Sequence, residues 1–198
     1  MASFFQDVVN SFKKFPGIGT RLAEKLTFHI LNLNKEDVKN FTDSIINFKN
    51  NIKHCKNCGM ISQNEYCNIC KSQKRDHSLI CIVKNSQDVL RIEKAHIYNG
   101  SYHVLNTILN PIKNINEDKL NIKSLITRIK TGKIKEIIFT IEETTDGNAT
   151  KQFLTNLIKK NNNKIKITRL PIGIPFGSDI EYLDEETLKK SLINRVEY

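Results

Sequence analysis

Hydrophobic positions along this chain fall into two regimes. In the first fifty or so residues they recur at helical spacing. Phe4, Phe5, Val8, Val9 and Phe12 lie three and four apart, which predicts an amphipathic helix with Ser3 as its cap. A second helix is expected to begin near Thr20. A third follows Asn34, which can cap it, with Asp37 in its first turn. Its apolar stripe is Val38, Phe41, Ile45, Phe48 and Ile52, expected to serve as core or as a subunit interface. From Leu79 onward the period changes. Leu79 to Val83 is a continuous apolar run, as in a strand buried on both faces. Tyr102 to Leu105, Ile137 to Ile141 and Lys164 to Leu170 read as three more strands. Helical patterns separate them: one capped by Ser86 and running through Val89, Leu90 and Ile92, one on Ile122, Leu125, Ile126 and Ile129, and one on Phe153, Leu154, Leu157 and Ile158. Strands alternating with helices imply right-handed crossovers and a largely parallel sheet with helices on both sides. The expected fold class is therefore α/β, in several parts.

Between the two regimes stands Cys55-Lys56-Asn57-Cys58, followed after eight residues by Cys67-Asn68-Ile69-Cys70. Each CxxC turn sets two thiolates on one side of a metal, and two such turns complete a tetrahedral zinc site. Gly59 gives the first turn its backbone freedom. Disulfides or a redox pair are the competing readings. The sequence shows neither a signal peptide nor an apolar run long enough to span a membrane, so a cytoplasmic setting is expected, where disulfides are rare. Four protein ligands leave no open position, so one structural zinc per chain is expected, holding a segment too small for its own core. Cys81 lies inside the first apolar strand and reads as a buried residue. His54 stands beside the first cysteine, but four thiolates already complete the site.

Charge sharpens the picture. The 198 residues carry a net charge of +10, which points first to a polyanionic partner. The 25 lysines against 6 arginines, with 23 asparagines and 28 isoleucines, also look like a compositional bias, so distribution says more than total. Residues 78–171 carry 16 basic and 8 acidic groups, a net of +8, whereas residues 172–198 carry 3 and 6, a net of −3. An acidic tail follows a basic body.

The sharpest nucleic-acid signal is Phe15-Pro16-Gly17-Ile18-Gly19-Thr20-Arg21. Pro-Gly-x-Gly between amphipathic helices is the turn of a helix-hairpin-helix. Gly17 and Gly19 let backbone approach a phosphate, and the next helix aims free N–H groups and its positive dipole end at that anion. Arg21 and Lys25, four apart, share one helix face and are candidates for adjacent phosphates. Such a motif reads backbone rather than bases, so binding should be salt-sensitive and not sequence-specific. The alternative is a tight helix–helix connection used for packing or dimerisation.

In a parallel sheet, ligands sit beyond the carboxyl ends of the strands. The loops there are Lys84 to Asp88 and Glu142 to Thr150. Glu142, Glu143 and Asp146 are candidates for a magnesium site, the alternative being a solvated loop that caps a helix. Lys84 brings the wrong charge for the first of these. His103 reads as a packed polar residue. The last segment, from Arg169 through Pro171, Pro175 and Gly177, is expected to be extended and kinked, ending in a helix from Glu185 to Arg195 that packs on a partner subunit. The expected parts are residues 1–53 (helix-hairpin-helix), 54–77 (zinc module), 78–171 (the α/β body) and 172–198 (a subunit-contact arm).

In this order the parts resemble the RecR family of bacterial recombination mediators, over essentially the whole chain. The most specific pieces are Pro16-Gly17-Ile18-Gly19, the four cysteines with Asn68-Ile69 in the second pair, Asp146-Gly147-Asn148-Ala149-Thr150, and Gly173-Ile174-Pro175-Phe176-Gly177-Ser178-Asp179-Ile180-Glu181-Tyr182. The resemblance implies a Toprim-like α/β domain and a non-catalytic DNA-binding factor in recombinational repair, binding single- and double-stranded DNA. It implies work with RecO, and in many bacteria RecF, to load recombinase onto single-stranded DNA, and assembly as a homo-dimer or ring-like tetramer. Arg21 and Lys25 match the family's DNA-contacting basic pair, and Cys55, Cys58, Cys67 and Cys70 its zinc ligands. This sequence departs from the pattern at Lys84 and Asn148, where the family usually has glutamates. Asn110 and Asn114 replace a usual serine and glycine. The runner-up function is a magnesium-dependent Toprim-type nuclease or primase.

Overall fold

The computed structural model describes residues 3–197. They divide after Ile52 into two compact units.

The first unit holds three helices: α1 (Ser3–Phe12), α2 (Thr20–Asn32) and α3 (Lys35–Asn51). Ser3 is itself helical, and the position ahead of it lies outside the described residues. α1 packs on α2, with Val9, Ala23 and Thr27 buried and the Phe5 and Phe28 rings 4.9 Å apart between centroids. Asn34 caps α3 as its position suggests, its Oδ1 accepting from the Asp37 N–H at 2.8 Å. The stripe on α3 does not become core. No residue of α3 is buried, and Phe41, Ile45 and Phe48 are each about half exposed or more. Among the described residues of this unit, nothing buries this stripe.

The second unit opens with a short antiparallel ribbon, β1 (Lys53–His54) with β2 (Ile61–Ser62), and a single helical turn, α4 (Asn68–Lys71). The α/β body follows: β3 (Asp76–Val83), α5 (Ser86–Lys94), β4 (Gly100–Val104), α6 (Lys123–Lys130), β5 (Glu136–Phe139), α7 (Thr145–Asn161) and β6 (Lys166–Arg169). The four strands form one sheet in the order β4-β3-β5-β6, every pair parallel. Side chains alternate across it. Ile80 and Ile82 of β3 join Leu125 and Ile129 of α6 and Leu154 and Ile158 of α7 on one face. Cys81 and Val83 join Val89 of α5 and Tyr102 of β4 on the other. Both faces are thus covered by helices, which explains why β3 reads as an unbroken apolar run. The chain leaves β3 toward β4 on one side and returns to β5 on the other, so the crevice of this sheet lies at the carboxyl ends of β3 and β5. Lys84 and Glu142 stand there.

Two local expectations are corrected. The cap of α5 is Asn85, not Ser86. Asn85 accepts from the Asp88 N–H and Asp88 accepts from the Asn85 N–H, a reciprocal capping box. Ser86 Oγ instead accepts from the Ile61 N–H at 3.1 Å, tying β2 to the α/β body. The last helix, α8 (Glu185–Ile193), stops short of Arg195 and is capped by Asp184. Ahead of it the arm is extended and exposed, with one helical turn at Ile180–Tyr182 and Phe176 fully in solvent. Asn114 adopts a left-handed conformation, φ 52°, which is why a glycine or asparagine suits that position.

His103 on β4 is fully buried. Its Nε2–H donates to the Asn121 carbonyl and its Nδ1 has no partner. Burial pushes its pKa down to about 4, with the nearby Arg128 adding to the effect and the Asn121 bond opposing it. The unfolded chain therefore binds this proton first, and folding stability must fall as pH drops from about 6.5 toward about 4. The expected loss is about 3 kcal/mol between pH 7 and pH 4. Denaturant melts of wild type and His103→Gln across that window check it, the variant losing most of the slope.

Candidate zinc centre and nucleic-acid interface

The ribbon and the α4 turn bring the two CxxC pairs face to face. The Sγ atoms of Cys55, Cys58, Cys67 and Cys70 all lie within 4.8 Å of one another, and Cys55, Cys58 and Cys67 are buried. The Cys58 and Cys67 sulfurs are 3.6 Å apart. A tetrahedron of Zn–S bonds of about 2.3 Å sets its sulfurs about 3.8 Å apart, whereas a disulfide needs about 2.05 Å. The arrangement fits zinc. N–H groups already point at the sulfurs, as thiolate ligands require: Cys67 N–H toward Cys55 Sγ at 3.3 Å, Cys70 N–H toward Cys67 Sγ at 3.5 Å, and the Asn57 side-chain amide toward Cys70 Sγ at 3.4 Å. His54 is turned to the Gly59 carbonyl, with Nδ1 at 3.0 Å. Cys81 sits in the other apolar cluster, its thiol pushed up to about 11, chiefly by burial.

The zinc module is fastened to the sheet. The Val104 N–H at the end of β4 donates to the Cys58 carbonyl at 2.7 Å, and Met60 and Ile69 pack against the cluster of Cys81, Val89 and Tyr102. Gly59 makes this close approach possible. Its φ is +77°, and a Cβ there would stand 2.8 Å from the Val104 carbonyl oxygen. Arg128 completes the join. It sits where α6 should place an apolar residue, buried, with Nη1 donating to the Tyr102 carbonyl and Nη2 to Ser101 Oγ, both at 2.6 Å. Among the described residues no carboxylate pairs with it. Burial pulls its pKa down, and the nearby sulfurs of Cys70, Cys58 and Cys55 oppose that shift. Arg128 lines one small cavity together with Asn57 and Cys70, so with zinc bound it would stand as a buried cation beside a tetrathiolate of formal charge minus two.

The acidic loop is engaged by cations and amides. Lys84 Nζ lies 2.6 Å from Glu142 Oε1. Glu143 Oε1 receives Lys151 Nζ at 2.6 Å and Arg169 Nη1 at 3.0 Å. Burial works to raise both carboxyls, but the paired cations outweigh it and hold both below their ordinary values. Asp146 Oδ2 accepts from the Asn110 amide at 2.6 Å. The three carboxylates thus do not converge on a common point. Thr144 caps α7, accepting from the Gly147 N–H.

In the first unit, Gly17 has φ +81° and turns the chain into α2. Gly19 is the residue before α2 and has ordinary extended backbone, with no side-chain cap. A Cβ on either glycine would meet nothing within 4 Å. Nothing within the chain therefore requires Gly19 to lack a side chain. The first N–H groups of α2 are left open, and no acidic residue stands in its first turn. Arg21 and Lys25 are both exposed, one turn apart on this helix.

These parts define a class: a zinc-stapled Toprim-type α/β protein preceded by a helix-hairpin-helix. Family models match each segment: RecR helix-hairpin-helix over residues 5–49, the RecR four-cysteine zinc finger domain over 52–72, Toprim domain over 78–171 and RecR C-terminal over 173–196. Among curated proteins, recombination protein RecR of Lactococcus lactis subsp. cremoris (strain MG1363) is 40% identical over 190 residues, covering 96% of this chain and 95% of that protein. Recombination protein RecR of Staphylococcus aureus (strain MRSA252) is 38% identical, and that of Staphylococcus saprophyticus 37%, over the same shares. The chain belongs to the RecR family of recombination proteins, and its four cysteines form a structural zinc centre.

Proposed function

We propose that this chain is a non-catalytic DNA clamp of recombinational repair that grips the phosphate backbone with the α2 turn. The observation that carries this reading is the bare start of α2: open N–H groups, two glycines with free space around them, and Arg21 and Lys25 on the adjoining face. That surface has the chemistry of a phosphate site: open N–H groups at a helix start flanked by two cations. Single- and double-stranded DNA are both suitable ligands. The exposed apolar face of α3 and the exposed arm around Phe176 support assembly as a homo-dimer or tetramer. In this reading the assembly works in the cytoplasm with RecO, and with RecF where it exists, to load recombinase onto single-stranded DNA. Among the described residues no helix is long and apolar enough to cross a membrane.

The competing enzyme, a magnesium-dependent nuclease or primase, would use Glu142, Glu143 and Asp146. Their pairing with Lys84, Lys151, Arg169 and Asn110 favours the clamp, because each carboxylate already has a partner within the chain.

The test is fluorescence anisotropy with labelled DNA across a salt series. Replacing both Arg21 and Lys25 by alanine should weaken binding of unrelated sequences alike and lower the salt slope by about 2. An unchanged slope would remove these residues from the interface. Magnesium-dependent cleavage abolished by Asp146→Ala would replace the clamp with the enzyme.

A further inference from the structure

Beyond the zinc centre and the α2 turn, one cavity carries a charge imbalance. It is an open cavity of about 660 Å³ beside β6 and the first half of α7. Lys151 reaches into it from α7 and Arg169 from the end of β6, with Glu143 between them. Lys151 is nine-tenths buried, yet its ammonium contacts a single carboxylate oxygen, at 2.6 Å, without a well-directed hydrogen bond. That same oxygen also receives Arg169. Two cations thus share one acceptor atom. An ammonium has three donors and a guanidinium five, so most of this donor capacity is unspent. The wall carries one more positive than negative charge, and a buried, under-compensated ammonium is costly unless an anion completes it.

We propose that this cavity is a second DNA contact, holding one phosphate of a single strand between Lys151 and Arg169. The rest of the lining suits a nucleotide. Ile167 offers an apolar surface for sugar or base, and the amides of Asn148 and Gln152 offer both donors and acceptors to a base edge. The volume lies within the range of pockets that take small-molecule ligands. The surrounding body, residues 78–171, is the most basic part of the chain. An acidic peptide would need only the cations and would leave the amides and Ile167 unexplained. The proposal deepens the DNA-binding reading and rests on it for the polymer, but the phosphate contact is testable alone.

The experiment titrates the zinc-loaded full chain with thymidine 5′-monophosphate, inorganic phosphate and thymidine, followed by amide NMR. The side-chain amides of Asn148 and Gln152 and the backbone of 166–169 should shift saturably with the monophosphate, more weakly with phosphate and least with thymidine. Lys151→Met would alter a buried position of α7 and disturb the fold, so Arg169→Gln is the informative variant, since its guanidinium is half exposed. It should weaken the monophosphate about tenfold, the worth of one charge-assisted hydrogen bond. No shift at these positions with either phosphate compound overturns the proposal. So does a polyglutamate peptide that shifts them when the monophosphate does not. Cavity shifts in a chain that binds no long DNA would sustain this site and remove the α2 reading. Long-DNA binding without cavity shifts would remove this site alone.

Discussion

Cys58→Ser protein is expected to purify without stoichiometric zinc and to melt well below wild type. Zinc bound by four thiolates in a small module contributes about 10–16 kcal/mol of apparent binding free energy at neutral pH, and that binding is folding free energy for the segment it closes. The segment from Cys55 to Cys70 has little else: one ribbon of two paired positions, one helical turn, the packing of Met60 and Ile69 on the sheet, and two hydrogen bonds to the α/β body, from Val104 N–H to the Cys58 carbonyl and from Ile61 N–H to Ser86 Oγ. Damage should not stop there. The Cys58 carbonyl accepts the Val104 N–H that ends β4, so loosening the module frees the edge strand of the sheet. Metal content by emission spectroscopy and a thermal melt read both effects. Cys81→Ser is the control. That thiol lies in the cluster on the opposite side of β3 from the main core, outside the four-sulfur group, and its loss should leave zinc at one per chain. A Cys58→Ser protein with full zinc and a wild-type melt would refute the four-thiolate site.

Arg128→Met is the second large effect expected. The side chain fits the volume, but the zinc-tetrathiolate loses its buried counter-charge, and the Tyr102 carbonyl and Ser101 hydroxyl lose their donors. Breaking a buried charge arrangement from one side typically costs about 3–5 kcal/mol. A merely structural arginine would lower the melt and leave the metal alone. A counter-charge should also speed zinc transfer to a chelator under native conditions when it is lost, and Arg128→Lys should recover part of the wild-type rate, because it keeps the charge without the fork. Equal chelator rates for wild type and Arg128→Met would limit Arg128 to packing.

The sequence made the zinc ligands legible because chemistry fixes their spacing, and made the parallel sheet legible because β3 is apolar on both faces. Arg128 and Lys151 were harder. Each occupies a position in a helical stripe, among Leu125 and Ile129 on α6 and among Thr150 and Leu154 on α7, where a charge reads as a break in the pattern. A charged residue at an inward position is itself the signal, but its partners come from distant segments, Tyr102 in one case and Glu143 in the other. Ser86 misled for a related reason. Asn85 and Ser86 are both good caps, and only the contact with Ile61, 25 residues away, assigns Ser86 elsewhere. The α3 stripe shows a further limit. Periodicity states that Phe41, Ile45 and Phe48 share a face, and it is silent on whether the chain itself or another copy covers that face.

The central claim is that DNA phosphates sit on the open start of α2. Amide NMR on the zinc-loaded chain, titrated with two short duplexes of unrelated sequence, tests it most directly. The account predicts that the N–H signals of Gly19, Thr20, Arg21 and Leu22 move together, to the same extent for both duplexes, and return as salt is raised. Binding that leaves these four signals in place, or that moves them for one sequence only, would contradict it.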